Sequence, residues 1–204
     1  MHGDKKQERR KALEALTRRG ILDAAVGLLT RDGIHGLTME RVATEAGVAK
    51  GTLYVYFKNK EEILDATVDA SFDPLIRELS ALLDDGHAPD RKLAEFSLCH
   101  LRFFDKHRDL IRVLFYDRER IHSEKNHYAD TRYRTFVDRV ADVLEEGVRQ
   151  GLFSPLDPMK VAAMFIEANM GMVMQRIHDG ISGDVERDAQ QITDLFMRGL
   201  KRRM

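Results

Sequence analysis

One stretch of the chain, TMERVATEAGVAKGTLYVYFKNKEEI at residues 38–63, interleaves small, aromatic and basic residues at close spacing. Three apolar residues form one helical face: Val48, Leu53 and Phe57. Four residues are left to face outwards: Lys50, Thr52, Tyr54 and Tyr56. Lysine can donate to guanine O6 and N7, and threonine can hydrogen-bond a base edge or pack on a thymine methyl group. Tyrosine hydroxyls and Lys60 can reach phosphates. These residues therefore favour contact with a nucleic acid, although either tyrosine could instead pack against the preceding helix.

Two short helices joined by a turn would hold those side chains in place. Thr38 can cap the first helix, and Leu37 and Val42 have the spacing of a hydrophobic staple. Gly47 lies where the chain must leave that helix, at a position where glycine adopts a positive φ at least cost. Gly51 would let the backbone approach a partner closely. This order of anchors predicts a helix-turn-helix unit.

Charge is distributed unevenly along the 204 residues, although the formal net charge is only −1. Residues 1–60 carry twelve Lys or Arg against seven Asp or Glu, whereas the remainder carries 21 against 27. A basic front joined to an acidic back indicates a polyanionic partner for the front. A solvated basic face without a partner is the alternative.

Composition excludes several other classes of protein. No apolar run approaches 18 residues, so we expect no membrane span. The first residues lack the apolar core of a signal peptide, so we expect no export and a cytoplasmic location. The single Cys99 excludes an intramolecular disulfide and a cysteine-based zinc site. Glycine motifs for nucleotides and nucleophile motifs are missing, so we expect no enzyme, catalytic residue, cofactor or metal site.

The pattern over the rest of the chain is helical, and the fold class it predicts is all-α. Leu13 to Leu29 form one helical pattern, which RDGIHG at 31–36 ends. Short helices are expected from Met39 and over about 49–56. Longer helices are expected at about 60–83, 91–106, 108–120, 126–150, 158–179 and 184–202.

The segment GLTMERVATEAGVAKGTLYVYFKNKEEIL resembles the DNA-binding motif of the TetR family of bacterial transcriptional regulators. The match covers roughly residues 18–66, and its LY-x-YF-K-N-K continuation is specific. The resemblance implies an all-α homodimer with a three-helix DNA-binding head and a C-terminal body that binds ligand and dimerises. The positions that it implies contact DNA are Thr38, Lys50, Gly51, Thr52, Tyr54, Tyr56 and Lys60. Glu40 is acidic where some relatives are basic, which favours a helix-dipole role.

Three segments follow from this resemblance. Residues 1–17 form a basic N-terminal extension, 18–66 the helix-turn-helix domain, and 67–204 the ligand-binding and dimerisation domain. The extension is either a disordered arm or a helix along the DNA backbone or minor groove, and a solvated helix end is the alternative.

Aromatic and methionine side chains crowd the C-terminal body. Methionine suits pockets for apolar ligands of varied shape, although such stripes are more often plain core. Polar residues within the apolar helix at 161–175 could orient a ligand or lie at a wet subunit interface. The expected ligand-binding residues are Phe104, Arg112, Phe115, Tyr116, Tyr128, Tyr133, Phe136, Met164, Phe165, Glu167 and Asn169.

The last two helices have the spacing of a dimer interface, in which two helices from each subunit form a four-helix bundle. The expected dimerisation residues are Ala168, Gly171, Val185, Ala189, Ile192, Phe196 and Leu200.

The function expected from these residues is that of a homodimeric repressor. It would bind a palindromic double-stranded operator and be released by a mostly apolar small-molecule effector. One alternative is a DNA-binding regulator without such an effector. Another is an all-α enzyme that uses the C-terminal cavity, against which Lys50, Thr52 and Lys60 argue.

Overall fold

The computed structural model describes residues 2–116, 127–181 and 183–201, with side chains except those of residues 2–4, 115–116 and 127–132. Every regular element in these ranges is helical, and the expected all-α fold is confirmed. The helices are α1 (His2–Gly36), α2 (Met39–Glu45), α3 (Lys50–Tyr56), α4 (Lys60–Asp84), α5 (Pro89–Lys106), α6 (Arg108–Tyr116), α7 (His127–Arg149), α8 (Pro158–His178) and α9 (Val185–Leu200). In these ranges no helix is long and apolar enough to cross a bilayer.

The described chain divides into two compact units within α4, between Asp73 and Pro74. The first unit, the head, takes in the chain up to Asp73 together with α6 from Asp109 onwards. The second unit, the body, takes in Pro74–Arg108 and the helices α7, α8 and α9.

The head has its own apolar core, built where α1, α2 and α3 meet the start of α4. Its members include Ile21, Leu29, Val42, Leu53 and Ile63, none of which is exposed. The long α1 is kinked at Gly33, three residues before its end, because the φ of 67° at this glycine lies in the left-handed region. The expected end of α1 within residues 31–36 is therefore confirmed.

Part of α6 belongs to the head core, which the sequence did not indicate. Leu110 is 4 % exposed and lies in the same cluster as the core residues of α1 to α4. Val113 and Leu114 are partly buried and pack against this cluster. The predicted ligand-binding and dimerisation domain, residues 67–204, included this helix. An apolar stripe reveals that a helix is buried but not which core buries it, so this assignment needed the tertiary structure.

The body is a helical bundle in which α5 packs against α9 and α7 packs against α8. Aromatic rings fill its centre. The ring of Phe96 lies 5.7 Å from that of Phe165 and 6.1 Å from that of Phe136, and Phe165 meets Phe196 edge to face at 5.1 Å. Aromatic pairs in such geometries contribute beyond the area they bury.

A close contact fixes the turn that follows α7. Phe153 is 2 % exposed, and its ring occupies the space beside Gly147. A Cβ atom at Gly147 would lie 2.1 Å from that ring, so only glycine fits there. The turn after α7 therefore requires this glycine and aromatic pair.

A buried guanidinium joins three helices of the body. Arg176 of α8 is 5 % exposed, donates to Asp105 of α5 at 3.0 Å and to the Gly183 carbonyl at 2.6 Å, and pairs with Asp188 of α9. Arg108 also pairs with Asp105. The network satisfies charges that would be costly to leave unpaired at this depth.

We expect Arg176→Ala to lower the free energy of unfolding by about 3 kcal/mol, because it leaves the partly buried Asp188 carboxylate without its partner and Asp105 with Arg108 alone. Urea denaturation followed by circular dichroism measures the change. Arg102→Ala is the control, because its pair with Glu186 is exposed and such pairs contribute about 0–1 kcal/mol. Equal losses in the two variants would contradict the structural role of Arg176.

Candidate functional site

The helix-turn-helix of the head is built from local signals. The Arg41 N–H donates to the Thr38 hydroxyl at 3.3 Å, so the expected cap of α2 is confirmed. Gly47 has a φ of 65°, and Val48 N–H closes the turn by donating to the Ala43 carbonyl at 3.0 Å. The expected glycine turn is confirmed as well.

The helix α3 rests on the head core by one side and leaves the other side open. Leu53 is fully buried, and Phe57, which follows the helix, is 2 % exposed with the Arg18 guanidinium 5.2 Å from its ring centroid. Four of the residues expected to contact DNA are exposed on α3: Lys50, Gly51, Thr52 and Tyr54. That they contact DNA stays a prediction.

The two tyrosines of α3 have different surroundings. Tyr54 is 47 % exposed, whereas Tyr56 is half-buried and packs against the head core. The alternative raised for each tyrosine, packing within the head, therefore describes Tyr56 better than Tyr54. The Tyr56 hydroxyl remains a candidate for a phosphate contact.

Val55 is 80 % exposed on α3, although it was not among the predicted DNA contacts. It follows Leu53 by two positions, which places it about 200° further around the helix. This spacing from Leu53 could have identified Val55 as an exposed residue, because the position opposite a buried residue points outwards. An exposed valine there can pack on a thymine methyl group.

A reciprocal cap fixes the start of α4 and displays Lys60. The Glu62 N–H donates to Asn59 Oδ1 at 2.8 Å, and the Lys58 N–H donates to Glu62 Oε2 at 2.6 Å. Such paired bonds satisfy backbone donors at a helix start. Lys58 and Lys60 are exposed beside this cap, where their charges are available to phosphates.

An ion pair links α2 and α3 at the head surface. The Lys50 ammonium donates to the Glu40 carboxylate. This hydrogen bond raises the pKa of Lys50 and lowers the pKa of Glu40, so both groups are charged at neutral pH. Glu40 lies in the first turn of α2, where a helix dipole favours an acid.

The N-terminal extension is helical, because α1 begins at His2. The sequence allowed a disordered arm or a helix for this extension, and the structure shows a helix. Leu13 and Leu16 are 65 % and 68 % exposed, and Arg10 pairs with Glu14 at 3.0 Å across one turn. Whether this helix contacts DNA stays a prediction.

The structure brings some of the expected ligand-binding residues together in the body. The rings of Phe165 and Phe136 both contact the ring of Phe96, and Phe104 lies in the same bundle. Asn169 is fully buried and donates from Nδ2 to the Phe165 carbonyl at 2.9 Å.

Other expected ligand-binding residues lie elsewhere. Met164 is 63 % exposed, so it does not line an enclosed cavity, because its helix turns that side outwards. Glu167 is exposed and interacts with Tyr133, itself 37 % exposed, at the surface. Arg112 is exposed on α6 and belongs to the head. Three further expected side chains lie outside the described part of the chain: Phe115, Tyr116 and Tyr128.

Two buried polar residues of α5 were missed. Ser97 Oγ and His100 Nδ1 have no hydrogen-bond partner among the described residues, and neither does Asn169 Oδ1 on α8. Burial lowers the pKa of His100 to about 4, so its imidazole is neutral at physiological pH. The position of Ser97 and His100 within the apolar stripe of α5 could have indicated that both are buried.

A small cavity of the body lies beside other residues of these two helices. A cavity between α5 and α8, bordered by Phe104, Val173 and Arg176, has a volume of about 10 Å³. This is room for about one water molecule. A larger guest at this place would require the side chains to separate.

Most of the expected dimerisation residues are used within the subunit. Val185, Ala189, Ile192 and Leu200 are at most 7 % exposed, on the buried side of α9. Phe196 is half-buried against Phe165. Ala168 is half-buried and Gly171 is exposed, with nothing within 4 Å of the place of its missing Cβ atom.

A cluster of possible ligand atoms lies at the start of the body, where we expected no metal site. Asp85, His87 and Glu95 offer one ligand atom each within 4.8 Å of one another. These groups already have protein partners. His87 Nδ1 lies 2.6 Å from the Asp85 carboxylate, and Arg91 pairs with Glu95 at 2.7 Å.

Comparison with known proteins identifies the family. Residues 21–67 match the model of the bacterial regulatory proteins of the tetR family, and residues 86–200 match a tetracyclin repressor-like C-terminal domain. The second match covers more than half of the chain. The chain therefore belongs to the TetR family, as its helix-turn-helix segment indicated.

A relative in sequence supports the same class, and two solved structures share the fold. YfiR of Bacillus subtilis, an uncharacterised HTH-type transcriptional regulator, is 27 % identical over 172 residues, 78 % of each chain. The regulator FadR of B. subtilis, solved with stearoyl-CoA, has a TM-score of 0.77 at 23 % identity and covers 89 % of this chain and 98 % of its own. SmeT of Stenotrophomonas maltophilia, solved with triclosan, has a TM-score of 0.73 at 22 % identity and 92 % coverage of both.

These relatives are transcriptional regulators rather than enzymes. The protein is accordingly a DNA-binding transcriptional regulator with an N-terminal helix-turn-helix head and a C-terminal helical domain. The enzyme alternative was wrong.

If Lys50 contacts a base, Lys50→Ala should cost about 1–3 kcal/mol of binding and relax specificity at one position of each half-site. Lys60→Ala should instead weaken binding to all sequences alike and lower the salt slope by about one unit, because it removes a phosphate contact. Fluorescence anisotropy with duplexes selected from a randomised library measures both. Equal, sequence-independent losses would show that Lys50 touches phosphate alone.

Proposed function

We propose that this protein is a homodimeric repressor that binds an inverted-repeat operator through α3 and is released by a mostly apolar small molecule. The observation that carries the proposal is the outward side of α3, where exposed donors and an exposed valine lie above a buried anchor. Because its proposed partner is operator DNA, its proposed location is the cytoplasm.

The head is suited to direct base contact. Leu53 and Phe57 fix α3 to the core, so the outward side chains start from a defined backbone position. Lys50, Thr52 and Val55 then supply a charged donor, a hydroxyl and an apolar contact, which are the groups that discriminate bases in the major groove. Lys60 supplies charge for a phosphate, which positions the protein on the duplex.

The proposed dimer uses the outward sides of α8 and α9. Met164 is 63 % and Leu195 is 70 % exposed, and both are large apolar side chains that water solvates poorly. Nothing lies within 4 Å of the missing Cβ positions of Gly171 and Gly199, so another helix could approach closely there. A second copy of the chain is the proposed occupant, because two helices from each subunit form a compact bundle.

Two recognition helices related by a two-fold axis require an inverted repeat. Footprinting of the DNA that flanks the protein's own gene tests this point. The proposal expects two protected half-sites with opposite orientation. Protection of one isolated site would contradict it.

Leu195→Glu should dissociate the dimer and abolish tight operator binding together, because it places a charge on the proposed interface without disturbing the core. Analytical ultracentrifugation and anisotropy measure the two effects. Leu13→Glu is the control for dissociation, measured by ultracentrifugation, because Leu13 is comparably exposed but lies on α1. An intact dimer in Leu195→Glu would place the interface elsewhere.

The chemistry of the body supports a mostly apolar effector with few polar groups. The aromatic rings around Phe96 and Phe165 offer apolar surface, and Ser97, His100 and Asn169 offer polar atoms without a hydrogen-bond partner in the part of the chain that the structure describes. Two structural neighbours were solved with stearoyl-CoA and triclosan, each of which has a large apolar part.

Effector binding can change operator affinity only if the effector prefers one arrangement of the protein over another. The helix α4 begins in the head and ends in the body, so it is the proposed route of coupling. A coupling of about 1–3 kcal/mol would reduce operator affinity by roughly 5- to 150-fold.

Ser97→Ala should weaken the effector response while leaving the stability of the unliganded protein unchanged or slightly higher. The reason is that it removes a buried hydroxyl without a partner, whose burial costs about 1–3 kcal/mol. Mass spectrometry of the purified protein identifies a bound small molecule, and titration with that molecule compares the variant with the wild type. Stearoyl-CoA and triclosan serve as further probes.

The alternative is a DNA-binding regulator without a small-molecule effector. It would be favoured if neither the co-purified molecules nor the two probes changed operator affinity. A response identical in the wild type and Ser97→Ala would instead place the effector elsewhere in the protein.

A further inference from the structure

The ion pair between Lys50 and Glu40 lies on the same surface as the proposed base contacts. Both side chains are more than half exposed, at 55 % for Lys50 and 64 % for Glu40. Lys50 opens α3, whereas Glu40 comes from α2, so the pair joins the two helices of the motif at its outer edge. Neither residue is needed to fill the core, which the neighbouring Val42 and Leu53 complete.

The pair changes what Lys50 offers to DNA. An ammonium has three donors, and the carboxylate occupies one of them. The remaining donors are still available to an acceptor, but the net charge of the pair is close to zero. Attraction to phosphates depends on net charge, whereas a base contact depends on the placement of donors and acceptors. The pairing therefore weakens the attraction of Lys50 to phosphates more than it weakens a hydrogen bond from Lys50 to a base.

Glu40 also presents acceptors of its own. The second carboxylate oxygen and the free lone pairs of the first can receive a hydrogen bond from outside the protein. In the major groove the matching donor is the amino group of cytosine, N4–H₂. Donor and acceptor thus lie side by side on one small surface patch.

We propose that Lys50 and Glu40 together read one G·C base pair in each half-site, with Lys50 donating to guanine O6 or N7 and Glu40 accepting from cytosine N4. The inference rests on the proposed DNA-contact surface and assigns Glu40 a role in selectivity. A G·C pair presents acceptors on the guanine and a donor on the cytosine, which is the complement of this side-chain pair.

The other three base pairs fit the patch less well. A reversed C·G pair sets the cytosine amino group against the ammonium and the guanine acceptors against the carboxylate. In A·T and T·A pairs the adenine amino group lies between two acceptors, N7 and O4, so a carboxylate placed for cytosine N4 faces an acceptor instead of a donor. Mismatched contacts of this kind discriminate through repulsion as well as lost bonds.

Selection of binding sites from a DNA library with a randomised duplex region tests the proposal with the full-length protein. The wild type should enrich one strict G·C position in each half-site. In Glu40→Ala the preference at that position should fall on the order of 10-fold, while the other positions keep theirs. Lys50→Ala should relax the same position.

Non-specific binding gives a second readout, measured with poly(dA-dT), which lacks the proposed G·C contact, over a range of salt concentrations. Glu40→Ala frees Lys50 to contact phosphate, so its affinity should rise and its salt slope should steepen by about one unit. Glu40→Gln loses the charge but keeps an acceptor, so it should steepen the slope alike while retaining part of the G·C preference. This variant separates the electrostatic effect from the base contact.

Glu45→Ala is the matched control, because Glu45 is another exposed glutamate of α2 and pairs with Arg31 at 3.2 Å. It should leave every base preference unchanged. Base preferences unaltered in Glu40→Ala, or relaxed equally at all positions, would overturn the role of Glu40 alone. Failure of the wild type to enrich any sequence would overturn the proposed function and this inference with it.

Discussion

The burial of Leu53 is the constraint on which the functional surface of the head depends. This side chain has no exposed area, and it is the point at which the short α3 is attached to the core built by α1, α2 and α4. A seven-residue helix is too short to be stable alone, so its existence depends on this packing. Once Leu53 points inwards, helix geometry directs Gly51 and Val55 outwards and places Lys50 beside α2.

The same reasoning explains what the sequence could and could not establish about the head. The cap at Thr38, the turn at Gly47 and the limits of α2 and α3 depend on residues close in sequence, and all were predictable. The pair of Lys50 with Glu40 was not, because it joins residues ten apart on different helices. The participation of Leu110 in the head core was missed for the same reason, since its partners lie far along the chain.

In the body the apolar pattern predicted the helices correctly. The same pattern did not show which helix or which subunit each apolar residue packs against. Ile192 and Leu195 lie three positions apart on α9, and both are apolar. The structure buries Ile192 within the subunit and leaves Leu195 exposed. Burial within a subunit and burial between subunits stabilise through the same apolar effect, so a sequence pattern does not separate them. Only the folded chain shows which side is still available to a partner.

The interior of the body combines dense aromatic packing with polar atoms that lack partners. Among the described residues, Ser97 Oγ and Asn169 Oδ1 have no hydrogen-bond partner from the protein, and leaving such a group unpaired costs about 1–3 kcal/mol. Proteins tolerate such costs at sites where function requires them. In the proposed function these atoms are satisfied when the effector is bound, and the free energy regained is then available to favour one arrangement of the regulator over another. The polar defects of the core and the responsiveness of the repressor would then have the same physical origin.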